Sequence, residues 1–253
     1  PVSSSGHLEI FKDILGIELP ADENLQFDVV VHAATVLSTI VVLWPMFRDL
    51  CRSFFTFRRD ENTTYVWKLI VSCIPVGIVG VFFKSYVEEI FGSGLLIVGI
   101  CLCVTAALLL FAHLSAVRAG KLQRANAGRD ITWWDAIVIG CAQAVAVLPG
   151  LSRSGTTIAT GIMLGDRRDK VASFSFLMVI IPILGEMLLD IKDIVAPDYA
   201  AQTDLLSMAV GFVAAFAVGC AACSWMLNIV KKGKLWWFAV YCVVMGVICI
   251  LWN

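Results

Sequence analysis

The chain has 253 residues, of which 59% are apolar and 15% are charged, whereas soluble domains average about 45–50% and about 25%. This composition excludes an ordinary water-soluble domain and predicts an all-α integral membrane protein. The formal net charge of −1 excludes an overall basic field, so we expect no nucleic-acid partner.

Six apolar segments are predicted to cross the membrane. A transmembrane helix needs about 20 mostly apolar residues; five segments reach that length, and a slightly shorter sixth ends the chain. In chain order they are 28–47, 66–87, 94–116, 173–190, 204–226 and 235–252. Nearly all of the nine cysteines lie in or beside these segments, so we interpret them, including Cys220 and Cys223, as packing residues rather than zinc ligands.

The apolar stretch 132–165 differs from these six segments, because helix-breaking and polar residues interrupt it. Pro149 and Gly150 precede a Ser-Arg-Ser-Gly cluster, so the stretch cannot cross the membrane as one regular helix. A broken helix is tolerated at membrane depth only where protein or a wet cavity surrounds it. We therefore predict a re-entrant segment made of two half-helices that enter and return on one side.

The placement of basic residues predicts the orientation in the membrane. Four loops hold 15 of the 19 Lys and Arg residues, namely 48–68, 118–129, 167–170 and 231–234. The positive-inside rule places these loops in the cytoplasm. The assignment is self-consistent only if the apolar stretch with the polar cluster is re-entrant, because both of its flanks then lie on the cytoplasmic side.

The chain contains an internal repeat with an offset of 149 residues. Superposing residues 3–30 on residues 152–179 without a gap gives seven identities in 28 positions. Three spans separate the copies, and an odd number reverses the direction in the membrane. We predict an inverted repeat with copies at 1–116 and 132–253, a second re-entrant segment that enters from outside near the N-terminus, and a polar site where the copies meet.

Residues 3–7, Ser-Ser-Ser-Gly-His, lead into a predicted short helix at 7–16. Successive backbone amides at such a helix start, together with serine hydroxyls, form a binding site for an anion. His7 lies beside this hydroxyl cluster and has the chemistry of a base, an acid or a nucleophile. The alternative interpretation is a serine-rich turn that only caps the helix.

Arg153 lies inside a membrane segment. An unpaired charge there costs at least about 2.5–3.5 kcal/mol, so the side chain needs a partner or a wet cavity. Its planar guanidinium suits phosphate oxygens, and the Ser, Gly and Thr residues that follow are predicted to begin a helix. The alternative is a structural ion pair with Glu186 or Asp190, and the sequence leaves both interpretations open.

Three stretches carry recognisable motifs: Pro-Val-Ser-Ser-Ser-Gly-His at 1–7, Phe27-Asp28-Val29 running to His32 and Thr35, and Leu-Pro-Gly-Leu-Ser-Arg-Ser-Gly-Thr-Thr at 148–157. In this order and spacing they resemble the bacterial undecaprenyl-diphosphate phosphatases of the bacitracin-resistance type, and the resemblance covers essentially the whole chain. It implies an integral membrane hydrolase that converts undecaprenyl diphosphate to undecaprenyl phosphate, the carrier reused in cell-wall synthesis.

The resemblance also implies roles for individual residues. Ser4, His7 and Arg153 are the expected catalytic residues, and we expect Ser4 to attack phosphorus with His7 assisting, although the residues alone leave the nucleophile open. The expected substrate-binding residues are Ser3, Ser5, Gln143, Ser152, Ser154 and Thr157. The family has a Glu-x-x-x-Glu pair, linked to a divalent metal, just before the Pro-Val-Ser motif. We therefore expect Mg²⁺ or Ca²⁺ as cofactor, with ligands largely in a family segment upstream of residue 1.

Two alternative classes share some of these features. The phosphatidic-acid phosphatase type also uses Ser-Gly-His and a later Ser-Arg, but it needs a further His and Asp, which residues 154–165 lack. The non-enzymatic alternative is a polyprenyl-phosphate transporter or flippase, although a carrier needs no nucleophile or proton acceptor such as His7.

Expected partners are the polyprenyl diphosphate and membrane lipid, with a homodimer as a further expectation. The expected location is the bacterial inner membrane, with the site facing outside.

Overall fold

The computed structural model describes residues 1–16, 21–83, 86, 94–120, 127–194 and 205–252. Within these ranges every regular element is a helix, and the one β-type contact is an isolated parallel bridge between Arg129 and Asp166. The helices are α1 Ser4–Leu15, α2 Ala21–Val42, α3 Trp44–Phe55, α4 Glu61–Phe82, α5 Leu95–Arg118, α6 Trp133–Val145, α7 Arg153–Leu164, α8 Arg168–Ile194, α9 Leu205–Lys231 and α10 Trp236–Trp252. The predicted all-α fold class is confirmed.

Four of the described helices are long and apolar enough to cross a membrane. They are α4, α5, the Arg168–Leu188 part of α8, and α9, and they correspond to four of the predicted spans. The last predicted span forms α10, which has 17 residues and is apolar but shorter. The protein is therefore a multi-pass membrane protein.

The predicted span at 28–47 is not one straight helix, because the chain bends sharply near its end. α2 ends at Val42, and α3 begins at Trp44 and makes an angle of 91° with the preceding helix. Pro45 lies in the first turn of α3, where it has no amide to continue the hydrogen bonds of α2. α3 also contains two arginines and an aspartate, so it is amphipathic and does not extend the apolar span.

The predicted break within 132–165 is confirmed, whereas the return to one side of the membrane stays a prediction. α6 begins with a capping box between Thr132 and Asp135, and seven residues separate its end from the start of α7. In this connection Gly150 has a φ of +84°, and a β-carbon on it would lie 2.5 Å from the carbonyl oxygen of Val98 in α5. The turn therefore needs a glycine.

α1 and α7 have the same length and the same kinds of cap. Each has 12 residues, and the side chain of the preceding serine, Ser3 or Ser152, accepts a hydrogen bond from a glycine amide. Each ends at a glycine in the left-handed conformation, Gly16 or Gly165. α1 begins earlier than the predicted 7–16, because Ser3 rather than a later residue caps it.

The surrounding helices hold α7 in place. It packs against α5, α6 and α8 over a core that includes the fully buried Ile139, Ile158 and Phe174. At the far end of α7, the Arg129 guanidinium donates to the Asp135 carboxylate at 2.7 Å and to the last carbonyl of the helix at 3.3 Å. These contacts join the end of α7 to the start of α6, and they fix the position from which α7 presents its N-terminal residues.

Candidate active site

The two sequence motifs meet at the N-terminal ends of α1 and α7. A β-carbon on Gly6 would lie 2.9 Å from the Cα of Gly150, and one on Gly155 would lie 3.2 Å from the carbonyl oxygen of Pro1. An approach this close is possible only where side chains are absent. The structure therefore brings together two motifs that lie in different halves of the chain.

This meeting of helix ends favours a negatively charged ligand. The start of a helix carries unpaired backbone amides and the positive end of the helix dipole, and here two such starts lie side by side. Ser3, which caps α1, has a φ of +63°, a conformation that residues other than glycine rarely adopt. Backbone strain of this kind is typical of functional sites.

The serines of the two motifs divide into buried caps and accessible hydroxyls. Ser3 and Ser152 are buried, and their hydroxyls accept the capping amides at 3.2 Å and 3.0 Å. Ser5 lies with its hydroxyl 3.4 Å from that of Ser3. Ser4 is exposed and Ser154 is half-buried. The capping interpretation thus holds for the first serine of each motif, whereas Ser4, Ser5 and Ser154 do not cap a helix.

His7 is held from both sides of its ring. Its Nδ1 lies 2.7 Å from the carbonyl oxygen of Ser3, and its Nε2 lies 2.7 Å from the hydroxyl of Tyr241 in α10. These bonds leave the predicted pair of Ser4 and His7 without a mutual hydrogen bond in this structure, so that pair stays a prediction. Tyr241 was not predicted as a site residue, because nothing in its local sequence pattern distinguishes it from other aromatic residues of an apolar helix.

Arg153 forms an ion pair of the kind that the alternative interpretation proposed. Its Nη2 lies 3.8 Å from Oε2 of Glu186, and the two side chains are 28% and 45% exposed. The side chain of Asp190, the other proposed partner, lies outside the described residues. The pair is long and only partly buried, whereas a phosphate can accept two short hydrogen bonds from the guanidinium, so Glu186 does not prevent Arg153 from binding such an anion.

Thr157 and Thr105 support the turn that presents Arg153. The Thr157 hydroxyl donates to the Arg153 carbonyl at 2.9 Å and forms a short hydrogen bond with the Ser175 hydroxyl in α8. The Ser152 amide donates to the Thr105 hydroxyl of α5 at 3.1 Å. Thr157 was predicted to bind substrate, but in this structure its hydroxyl is engaged within the protein.

Gln143 lies in α6 and is fully buried. Neither its Oε1 nor its Nε2 has a hydrogen-bond partner among the described residues. An unpaired polar group of this kind costs about 1–3 kcal/mol, so the amide is suited to a water molecule or a ligand group. Its predicted role in substrate binding is compatible with this position and stays a prediction.

The described residues do not by themselves form a site for a divalent cation. Mg²⁺ and Ca²⁺ take about six to eight oxygen ligands, which commonly include carboxylates. The described part of the chain has no group of three or more His, Cys, Asp or Glu side chains that could hold a metal ion. Glu9, which follows His7 closely, pairs with Lys12 at 3.6 Å. The predicted cofactor therefore stays a prediction.

The fold and this site define a multi-pass membrane protein with a polar site at two converging helix starts. The family model described as bacitracin resistance protein BacA matches residues 1–248. A Parabacteroides distasonis protein named undecaprenyl-diphosphatase is 55% identical over 251 residues, which cover 99% of this chain and 91% of that protein. Proteins of the same name from Bacteroides fragilis and Oceanobacillus iheyensis are 56% and 35% identical, with 99% of this chain and 91% and 90% of those proteins covered. The chain belongs to the BacA family, which confirms the resemblance.

Proposed function

We propose that this protein hydrolyses undecaprenyl diphosphate to undecaprenyl phosphate and phosphate, and so returns the lipid carrier to cell-wall synthesis. The family and the names of the relatives support this activity. The structural observation that carries it is the contact of Gly6 with Gly150, which joins the His7 motif to the Arg153 motif. Two helix starts, free hydroxyls and a guanidinium together favour a multiply charged group such as a diphosphate.

In the proposed reaction Ser4 attacks the terminal phosphorus while His7 takes its proton. The bond from that phosphorus to the bridging oxygen breaks, and undecaprenyl phosphate leaves. Water then attacks the phosphoserine, which releases phosphate and restores the hydroxyl. The exposure of Ser4, and its position three residues before His7 on one face of α1, support this choice.

Arg153 is proposed to bind the diphosphate oxygens through its guanidinium in exchange for Glu186. Bidentate arginine–phosphate hydrogen bonds are short and strong, whereas the present ion pair is long and partly exposed. Ser5, Ser154 and the buried amide of Gln143 are the further groups proposed to contact the substrate. Ser3, Ser152 and Thr157 contribute to the site by holding the two turns.

The inverted repeat and the orientation of the site are part of the same proposal. The matching lengths and caps of α1 and α7 support two copies that face one another. So do the reciprocal contacts of Gly6 with Gly150 and of Gly155 with Pro1, which exchange under the 149-residue offset. We place the protein in the bacterial inner membrane with the site on the outer side, because the basic loops favour the cytoplasm. A homodimer stays a prediction.

Phosphate release from undecaprenyl diphosphate by the purified protein in detergent tests this function. We expect release by the wild type and a fall of at least about 100-fold in His7→Asn, the size of a general-base contribution. His113→Asn is the matched control, because His113 lies on α5 and outside the site. Movement of polyprenyl phosphate across a liposome membrane without any phosphate release would instead identify a transporter.

A further inference from the structure

An apolar cavity, the α3 groove, lies between α3, α4 and α8 and has a volume of about 220 Å³. All of its lining residues are apolar, and they include Cys51, Phe54 and Phe55 of α3, Val66 and Leu69 of α4, and Ile181 of α8. Phe55 and Ile181 are exposed, so the cavity opens to the surface. An apolar cavity of about 150 Å³ can hold a benzene molecule, so this one has room for part of a hydrocarbon chain.

α3 lies along the membrane surface rather than across the bilayer. It is amphipathic and makes an angle of 91° with the apolar helix α2. Two tryptophans, which are typical of the membrane–water interface, flank the groove. Trp44 stacks on Phe47 with ring centroids 6.5 Å apart, and Trp67 contacts Phe54 edge-on at 5.9 Å. The groove therefore opens at the depth where lipid head groups meet their acyl chains.

Positive charge borders the α3 groove. Arg48 and Arg52 are exposed and lie four residues apart on one edge of α3, where Arg52 directly follows the groove residue Cys51. Among the described residues Arg52 forms no ion pair, and Arg48 pairs at 3.0 Å with Asp49, whose side chain is also exposed. Residues 44–60 contain four arginines and two aspartates, so this surface has an excess of positive charge.

The α3 groove lies on the opposite side of α8 from the candidate active site. Ser175 and Glu186, which contact α7, lie about three turns apart and so share one face of α8. Leu177 and Ile181, which line the groove, lie on the opposite face. α8 therefore separates the groove from the proposed diphosphate site, which argues against the substrate's polyprenyl chain as the occupant.

We propose that the α3 groove binds one anionic phospholipid of the leaflet in which α3 lies. An acyl chain enters the cavity, and the head-group phosphate accepts hydrogen bonds from the guanidinium groups of Arg52 and Arg48. A zwitterionic lipid also has a phosphate, but its own ammonium offsets the charge, so the arginines favour a head group with a net negative charge. This lipid site does not depend on the proposed phosphatase reaction.

Native mass spectrometry of the purified protein in detergent tests the head-group preference by counting the lipids that stay bound. The probes are phosphatidylglycerol, which is anionic, and phosphatidylcholine with the same acyl chains, which is zwitterionic. We expect the wild type to bind one phosphatidylglycerol about tenfold more tightly than phosphatidylcholine. Arg52→Gln should reduce this preference about fivefold. Arg118→Gln is the matched control, because Arg118 is an exposed arginine at the end of α5, outside the groove, and it should keep the preference.

Ile181→Trp tests whether an acyl chain enters the cavity. The larger side chain blocks the exposed mouth of the groove, so both lipids should bind at least about fivefold more weakly. Ile137→Trp is the matched control, because Ile137 of α6 has a similar exposure, 38% against 41%, and does not line the groove. Thermal midpoints show whether both variants fold, and if Ile181→Trp does not, the arginine variants still decide the proposal.

Three results would overturn the proposal. The first is equal affinity of the wild type for the two lipids, and the second is an equal loss of preference in Arg52→Gln and Arg118→Gln. The third is displacement of phosphatidylglycerol by another occupant of the groove. One-for-one displacement by undecaprenyl phosphate would assign the groove to a polyprenyl chain, and exclusion of the lipid from a dimer would assign it to a second copy of the protein.

Discussion

The guanidinium of Arg153 lies 3.8 Å from the carboxylate of Glu186, on neighbouring helices and with both side chains partly exposed. The carboxylate and a diphosphate substrate are therefore alternative partners for the same cation. A buried, tightly bonded pair would instead resist substrate because its separation would leave a desolvated charge. The observed pair holds Arg153 near the starts of α1 and α7, and its guanidinium can still exchange Glu186 for the substrate.

Arg153→Lys tests whether the fork of the guanidinium binds the substrate. Lysine keeps the charge but loses the two parallel donors, and a misplacement of about 1 Å can cost about 100-fold in rate. We therefore expect phosphate release to fall about 100-fold, with the thermal midpoint nearly unchanged because lysine keeps the positive charge beside Glu186. Glu186→Gln is the control and should keep release within about fivefold. Near-normal turnover in Arg153→Lys would assign the arginine to structure alone.

Ser3→Ala and Ser4→Ala should separate the cap from the proposed nucleophile. Ser3 is buried and accepts the Gly6 amide, so its loss should cost about 0.5–2 kcal/mol of stability. Ser4 is exposed, so its loss should leave the thermal midpoint unchanged but lower phosphate release by at least about 100-fold. Both variants need measurement of midpoint and release. An active Ser4→Ala protein would point to attack by His7 or by water.

Local sequence patterns predicted the parts of the fold that local interactions determine. Pro149 and Gly150 break the helix where the sequence indicated, and Ser152 caps the next one. The bend near the end of the predicted span 28–47 was not predicted, because that span was assigned from its apolar composition alone. In the structure α2 ends at Val42, and Pro45 lies in the first turn of the charged helix α3 that turns away from it.

Contacts between distant segments could not be predicted in this way. The motif residues His7 and Arg153 were found from residue type and spacing, but the hydroxyl on Nε2 of His7 comes from another helix. Tyr241 has no local signal, because an aromatic residue in an apolar helix also suits lipid or packing. Tyr241 is brought to His7 by the packing of α10 against α5, which its own sequence neighbourhood does not indicate.

Gly6→Ala should be destabilising although alanine favours helices. A β-carbon at this position would lie 2.9 Å from the backbone of Gly150 and 3.2 Å from Val98, so the two motifs must move apart. We expect a loss of about 1–3 kcal/mol, as for overpacking, together with lower phosphate release. Gly80→Ala in α4 is the control: nothing lies within 4 Å of its β-carbon, so it should not lower the thermal midpoint. Equal midpoints for the two variants would contradict the close contact of the motifs.

The carboxylate of Asp60, which caps the start of α4, should make the stability of the protein depend on pH. Its carboxylate accepts from the Thr63 amide and the Ser53 hydroxyl, each at 2.9 Å. The bond from the Thr63 amide is the main cause that lowers the pKa of Asp60 below its ordinary value of 3.8. Charged Asp60 therefore stabilises the fold above that ordinary pKa, and the contribution is lost as the pH falls through the lowered value.

Thermal midpoints between pH 7 and pH 3 measure this effect. Asp60→Asn keeps a good helix cap but cannot ionise, so its midpoint should fall less steeply below about pH 4 than that of the wild type. Parallel curves for the two proteins would show that the Asp60 carboxylate contributes nothing to stability.

Cysteine labelling in intact cells tests the orientation on which the external site depends. The basic loops predict that Arg58, between α3 and α4, is cytoplasmic and that Asp13, near the end of α1, is external. After replacement of the nine native cysteines, an impermeant reagent should label Asp13→Cys at once and Arg58→Cys only after the membrane is opened. Labelling of both after opening controls for accessibility. The reverse pattern would place the Asp13 end of α1 on the cytoplasmic side. Labelling of both positions from outside would contradict a membrane crossing between them, and with it the odd number of spans that inverts the repeat.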